Sequence, residues 1–467
     1  MKHNQPRIGL LPFYLKLYDD LQPGRREGFA AFQRRIAEGF EARGVAVVPA
    51  PVCRVAPEFG AAVAAFEQEG VDAVVTLHLA YSPSLEALEA LRRTALPLIL
   101  LDTTMDAAFG PGVSPDRIMY NHGVHGVMDL ASVLRREGRA FEIVAGHDSD
   151  PGLLDRAAGL ARAARAAREL RGSRALRIGP AFRGMGDFAV EAGVMRDRFG
   201  IAVDEVGADA LDAAVLGVGD AGLAAELAAD HERYACELAP GDHRRAVRVG
   251  LGLRHLVEAG GYGAMSVNFE IFKTADRPAD TMPFLEISKS MARGVGYGGE
   301  GDVLTAALVG ALARAFGAVT FTEIFCADWA GNTLFLSHMG EISPAVIDGR
   351  PRVLTRPFLV PGMPPPAIVT GPVRPGAAAL VNLAPGPDGT FSLIVAPVEV
   401  LPEAGQTDPA MLDGVRAWVR PRRPVAPFLE AFSRAGGTHH SALVLGAAPG
   451  ALAAFGRFCG LEIVELD

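Results

Sequence analysis

Residues Gly296–Pro344 read GYGGEGDVLTAALVGALARAFGAVTFTEIFCADWAGNTLFLSHMGEISP, and two periodicities meet inside this stretch. Apolar residues recur at helical spacing from Asp302 to Phe316, whereas AVTFTE and TLFLSH are short β-runs with the turn-forming CADWAGN between them. The texture changes near Ala318, so an α/β region ends there and a β-rich region begins. The same stretch sets Glu300, Glu323 and His338 at the edges of apolar elements.

Towards the N-terminus, apolar runs at Ile8–Pro12, Val45–Pro49, Ala73–His78, Pro97–Asp102 and Phe141–Ala145 alternate with amphipathic stretches such as Arg25–Arg43 and Gly123–Glu137. Strands separated by helices imply a parallel sheet covered on both faces. A second α/β unit begins near Ala175, with strands expected at Leu176–Ile178, Ile201–Val206 and Ala264–Phe269. Beyond Ala318, prolines cluster at Pro357–Pro366. Ala377–Leu383 and Phe391–Val400 flank PGPDG, a hairpin signal, and a helix is expected near Phe428–Arg434. The expected fold is α/β: two Rossmann-like or flavodoxin-like parallel-sheet domains (residues 1–174 and 175–318) followed by a mostly antiparallel β-rich domain (319–467).

A formal charge of −9 argues against a nucleic-acid surface. The basic run Arg156, Arg162, Arg165, Arg168 and Arg171 fits the solvated face of a helix, given its periodic alanines and leucines. Cys53, Cys236, Cys326 and Cys459 show no CxxC spacing and read as reduced thiols. The N-terminus has no signal-peptide segment, and no stretch approaches the ~20 apolar residues of a membrane helix. A soluble, cytoplasmic protein without a membrane partner is expected.

Glu323 shares a strand face with Val319 and Phe321, and His338 shares one with Leu334 and Leu336. A hairpin folded near Ala330–Gly331 sets the two polar residues across from each other. Ionisable groups on an inward face need compensation, either from each other or from a bound cation. Glu300 precedes the Asp302–Phe316 helix, where a carboxylate serves either capping or ligation, with Asp302 as the competing cap. His439 and His440 adjoin before an apolar strand, so only one can face a given ion. Two carboxylates and two imidazoles suit manganese or another first-row ion better than a closed structural zinc site. Gly217–Gly222 matches GxGxxG, but the preceding LDAAVL is better suited to a helix than a strand, so no nucleotide is expected. Gly294–Gly299 lacks the Lys-Ser/Thr ending of a phosphate loop; its glycines let the backbone approach a ligand beside Glu300.

At these residues the chain resembles the L-arabinose isomerase family, within the L-arabinose/L-fucose isomerase superfamily. GEGD with the TAAL helix (Gly299–Leu308), F-x-E at Phe321–Glu323, SHM-x-E-x-x-P at Ser337–Pro344 and GG-x-HH at Gly436–His440 fall in family order. So do NFE at Asn268–Glu270, H-x-x-x-SP at His78–Pro83 (with one extra residue) and the segment Asn121–His147. The resemblance implies that Glu300, Glu323, His338 and His440 bind Mn²⁺ (or a related ion such as Co²⁺), with Glu300 and Glu323 as the acid/base pair. It implies a sugar pocket drawn from Tyr81, His125, Met185, Ser266, Phe269 and His439. It further implies a homotrimer or homohexamer with active sites at subunit interfaces and His125 contributed by a neighbour.

Three departures bear on substrate. Pro12, Phe13 and Tyr14 replace the family's Gln-His after the first strand, Ile324-Phe325 replaces Asp-Tyr after the second metal glutamate, and the family's extended tail is absent beyond Asp467. Lys16 reads first as an ordinary exposed lysine; as a cation near the pocket mouth it would instead hint at an acidic substrate. The expectation is an aldose–ketose isomerase working through a cis-enediol on a sugar other than L-arabinose. The alternatives are an epimerase or isomerase of a modified sugar, sugar acid or polyol on the same site, and a non-catalytic sugar-binding relative.

Overall fold

A computed structural model of the chain describes residues 5–273 and 276–467. Contacts divide it into two compact units, Met1–Arg165 and Ala166–Asp467. In the first, β1 (Arg7–Phe13), β2 (Ala46–Pro49), β3 (Ala73–His78), β4 (Leu98–Asp102) and β5 (Glu142–Ala145) form a wholly parallel sheet in the order β2-β1-β3-β4-β5. All six residues of β3 are buried, which is why AVVTLH reads as a continuous apolar run rather than an alternating one. The Ala30–Glu41 helix buries Phe32, Ile36 and Phe40, one residue per turn.

The Pro151–Arg171 helix corrects one expectation. Arg156, Arg168 and Arg171 are exposed, but Arg162 and Arg165 are partly buried. The Arg162 guanidinium donates to the Arg43 carbonyl at 2.6 Å, and that of Arg165 stands 3.8 Å from the Asp72 carboxylate. These two arginines tie the helix down instead of solvating it. All four cysteines are free, and among the described residues no helix is long and apolar enough to cross a membrane.

In the second unit, β6 (Arg174–Ile178) and β7 (Ala202–Val206) pair in parallel. The short β8 (Ala235–Cys236) pairs elsewhere, while β9 (Ala264–Val267) and β10 (Gly296–Tyr297) complete a parallel sheet ordered β10-β9-β6-β7. The GxGxxG run joins the Ala208–Leu216 helix to the Asp220–Arg233 helix, with no strand before it.

The remaining strands are β11 (Val319–Asp328), β12 (Thr333–Ser337), β13 (Arg352–Thr355), β14 (Ala367–Thr370), β15 (Gly376–Pro385), β16 (Phe391–Val400), β17 (Ala417–Pro421), β18 (His440–Leu445) and β19 (Glu462–Glu465). Seven of them form one sheet in the order β15-β18-β11-β12-β17-β16-β19, antiparallel except for β16 with β19. Because β15 also pairs along the whole of β16, the sheet curls back on itself as a barrel. The other two, β13 and β14, join β8 in a small separate sheet. The fold is therefore the expected one: parallel α/β sheets followed by a β-rich, mostly antiparallel region.

The Val303–Phe316 helix lies between the two larger sheets of this unit, packing on β9 and β10 from one side and on β11 and β18 from the other. It is buried nearly all round, so its sequence is apolar on every face. Gly296 lets it come close. A Cβ there would stand 2.0 Å from the Ala306 carbonyl oxygen and 2.2 Å from the Gly310 nitrogen.

Beside this layer, the helices Asp220–Arg233, Pro240–Ala259 and Phe284–Ala292 share a buried ionic cluster. Arg254 donates to both oxygens of Glu226 at 2.7 and 2.8 Å, and Lys289 reaches Glu226 at 2.6 Å and Asp230 at 2.5 Å. The Arg254 hydrogen bonds hold the Glu226 carboxyl down at about 2, against the opposing effect of burial. A carboxylate depressed in the folded state stabilises the fold above its unfolded value of ~4.3, and that contribution disappears as pH falls towards 2. Glu226→Gln is expected to lower stability at pH 7 by about 3 kcal/mol, since Arg254 and Lys289 keep buried charge with a partner removed. It is also expected to flatten the loss of stability between pH 4.5 and 2. Urea unfolding across that range checks both, and an unchanged pH profile contradicts the assignment.

Candidate metal centre

The barrel strands and the glycine turn bring Glu300, Glu323, His338 and His440 together, with one ligand atom from each lying within 4.8 Å of the others. Glu323, in β11, is opposite His440 of β18 on one side and Ser337 of β12 on the other. The expected hairpin pairing was thus one residue out. CAD belongs to β11, the turn is Trp329–Asn332, and the register shifts between Ile324 and Cys326. His338 lies just past the end of β12, where its Nε2 still comes within 3.1 Å of the Glu323 carboxylate. Glu300 stands in the turn Gly299–Gly301 with φ 54°, a left-handed conformation uncommon for a residue with a side chain. Three backbone bonds fix this turn. The Glu300 carbonyl accepts from the Phe182 N–H at 2.8 Å, the Gly301 N–H donates to the Ser266 hydroxyl oxygen at 2.8 Å, and that hydroxyl donates to the Gly298 carbonyl at 2.6 Å. Such strain persists only where surrounding structure enforces it, and it marks functional turns.

Each imidazole is held at both ends. His440 Nε2 is 3.0 Å from Glu300 and 3.0 Å from Glu323, while its Nδ1 is 2.9 Å from Asp302. His338 Nδ1 is 2.6 Å from Glu341, and its Nε2 faces Glu323 at 3.1 Å and Glu300 at 3.8 Å. A carboxylate only accepts, so both Nδ1 atoms carry the proton and both Nε2 atoms turn to the centre. Asp302 does two jobs. One oxygen caps the Val303–Phe316 helix by accepting from the Thr305 N–H at 2.9 Å, and the other orients His440. A Cβ at Gly299 would lie 3.2 Å from each imidazole ring, a tight contact that the rings could relieve only by shifting.

Asp302, Glu341, His338 and His440 are almost fully buried, and the side chains of Glu300 and Glu323 are only 12% and 13% exposed. Four carboxylates thus surround two imidazoles. Burial pushes the Glu323 carboxyl up, but hydrogen bonds to His338 and His440 prevail and hold it at about 2; Glu300 is depressed in the same way. Burial disfavours the charged imidazoles, yet the facing carboxylates raise both well above the ordinary value. The negative charge must be balanced, either by protons on both Nε2 atoms or by a cation between the four groups. The spacing fits a cation. Donors at right angles about an ion with ~2.1 Å bonds stand ~3 Å apart, and opposite donors ~4.2 Å apart.

The other expected site residues separate into three groups. Met185 and Phe269 line a cavity of about 180 Å³ bounded by Glu300, His338 and Tyr297. His439 is exposed, its Nε2 4.0 Å from Glu323 and its Nδ1 2.5 Å from Asp187; its ring stands 4.2 Å from that of His440, so the two adjacent histidines do not point to opposite faces as expected, although only His440 belongs to the four-group cluster. Ser266 is fully buried beneath the Glu300 turn, with its hydroxyl engaged by backbone. Tyr81 and His125 belong to the first unit, their ring centroids 4.7 Å apart. Lys16, also in that unit, pairs with Asp20 at 2.8 Å. Sequence reasoning missed Glu341 and saw Asp302 only as a cap. The signal available was a carboxylate three residues after His338 and two after Glu300.

Residues 185–316 match the model of the L-arabinose isomerase central domain, and residues 318–462 match that of the L-arabinose isomerase C-terminal domain. An L-arabinose isomerase of a Nocardioides species is 30% identical over 409 residues, covering 83% of this chain and 78% of that protein. Those of Acidothermus cellulolyticus and Geobacillus kaustophilus are 29% and 28% identical, covering 83% and 92% of this chain and 79% and 86% of their own lengths.

Asp302→Asn keeps a good helix cap, but its amide N–H would face His440 Nδ1 and favour the tautomer whose Nε2 cannot bind a cation. Glu341→Gln does the same to His338. Each is expected to weaken Mn²⁺ or Co²⁺ binding by about 10- to 100-fold in a calorimetric titration. Unchanged affinity in both variants contradicts the orienting role.

Proposed function

Because the chain belongs to the L-arabinose isomerase family, we propose that it is a metal-dependent aldose–ketose isomerase acting on a sugar other than L-arabinose. The observation that carries this reading is the convergence of Glu300 and Glu323 on one imidazole nitrogen, each carboxylate 3.0 Å from His440 Nε2. Moving hydrogen between C1 and C2 of an open-chain sugar needs two proton-transfer groups within reach of adjacent carbons, and two carboxylates so placed meet that need.

In this mechanism one glutamate removes the C2 proton of the aldose. The other carries a proton between the two hydroxyl oxygens, and return of the first proton to C1 of the cis-enediol yields the ketose. Glu300, Glu323, His338 and His440 would hold the divalent ion, Mn²⁺ or a related ion such as Co²⁺, which supplies Lewis-acid stabilisation of charge developing on the substrate oxygens. Asp302 and Glu341 keep both imidazoles turned inward. Met185 and Phe269 give the sugar an apolar wall, which also excludes water from the enediol. Tyr81 and His125 would contribute from a neighbouring copy in a homo-oligomer of cytoplasmic subunits.

The altered substrate rests on Ile324-Phe325. Phe325 lies at the register shift of β11, 40% exposed, its ring centroid 6.3 Å from that of His338. It presents an aromatic edge and no hydroxyl. The same feature keeps a second reading in view, an epimerase of a modified sugar on this site, which would exchange the same proton without forming a ketose.

Glu300→Gln and Glu323→Gln are each expected to reduce turnover by at least about 10²-fold while leaving the circular dichroism spectrum unchanged. The assay is exchange of the C2 proton in D₂O, followed by NMR across a panel of aldoses, with product identity distinguishing ketose from epimer. Near-normal exchange in either variant removes that residue from the mechanism. Chelation is expected to abolish exchange, and Mn²⁺ or Co²⁺ to restore it; full activity of the chelated protein contradicts metal dependence.

A further inference from the structure

We infer that the substrate carries an anionic group, a carboxylate or a phosphate ester, and that Arg356 binds it; this rests on the isomerase reading above. A cavity of about 610 Å³ in the second unit has Phe325, His338, Met339, Arg356, Phe358 and Asp408 among its walls. His338 belongs to the four-group cluster, so this cavity borders one member of the proposed reaction centre. It shares His338, Met339, Phe358 and Leu359 with the smaller cavity that reaches Glu300, so the two adjoin along one wall.

Arg356 follows β13 directly, and its backbone N–H donates to the Pro366 carbonyl at 3.1 Å, pinning the base of the proline-rich loop. Its guanidinium differs from its neighbours'. Arg352 is bound by Glu237 at 2.7 Å and Asp413 at 2.9 Å, and Arg416 by Glu403 at 2.9 Å. Among the described residues, no carboxylate, carbonyl or aromatic ring partners the Arg356 guanidinium. The other formal charge on the wall, Asp408, is turned to the short Pro409–Leu412 helix, where it accepts from the Ala410 and Met411 N–H groups at 2.8 and 3.3 Å. Much of the remaining wall is apolar, including Phe335 and Met411.

A half-buried guanidinium without a partner, facing a largely apolar cavity, presents a planar donor fork that matches a carboxylate or phosphate in two-point fashion. A neutral polyol would leave that charge unanswered. The apolar surroundings lower the local dielectric, which strengthens the pairing once water is displaced. The anionic group would occupy the cavity end beside Arg356, with the reacting carbons directed to Glu300 and Glu323.

The test compares the metal-loaded full chain on neutral aldoses, the corresponding uronic acids and aldose phosphates, using C2-proton exchange. The wild type is expected to favour one anionic class over its neutral counterpart by about 10- to 100-fold in kcat/KM. Arg356→Met is expected to erase most of that ratio through KM, and Arg356→Lys to keep part of it. Calorimetry with an unreactive aldonate or alditol phosphate provides a readout independent of turnover, in which Arg356→Met should weaken binding by a similar factor. Efficient turnover of a neutral sugar, with no anionic preference and no dependence of the ratio on residue 356, overturns this inference but leaves the isomerase reading standing. Absence of exchange for every sugar, neutral and charged, overturns both.

Discussion

Two buried carboxylate–imidazole contacts govern the second unit. Asp302 and Glu341 each accept a hydrogen bond from the Nδ1–H of a histidine, which turns both Nε2 atoms towards Glu300 and Glu323. Carboxylates at such separations repel by several kcal/mol even at an effective dielectric of ~20, so the arrangement calls for positive charge at its middle. Around it, the architecture serves mainly to hold four groups from four segments at fixed separations.

Each segment is positioned by a different constraint. Glu323 and His440 are set by strand register, and a one-residue slip of β18 would turn His440 out of the cluster. Glu300 depends on a left-handed turn, braced by Ser266 and Phe182, at the start of a helix that approaches closely because Gly296 has no side chain. His338 depends on neither; it stands beyond its strand and relies on Glu341 for its orientation. This dependence makes Glu341 as necessary to the geometry as the inward-facing groups themselves.

Much of this was legible in the sequence. Parallel strands buried on both faces, such as β1, β3 and β4, appear as unbroken apolar runs, and the polar residues within β11, just past β12 and at the start of β18 interrupted otherwise apolar segments. What stayed hidden depends on distant partners. The register shift beside Phe325 leaves no trace in a period-two pattern, and closure of the barrel by β15 with β16 is a long-range outcome. Nothing local distinguishes Arg162, tied to a distant carbonyl, from Arg156, which is exposed. Asp302 read as a cap because it is one; its second oxygen finds His440 only in the folded chain.

The proposed chemistry requires one divalent ion held jointly by Glu300, Glu323, His338 and His440. A crystal of the protein equilibrated with Mn²⁺, measured for anomalous scattering at the manganese edge, tests it most directly. A single strong peak bonded to all four side chains is the predicted result. A peak elsewhere, or an empty cluster whose histidines remain paired with Glu300 and Glu323, would contradict it.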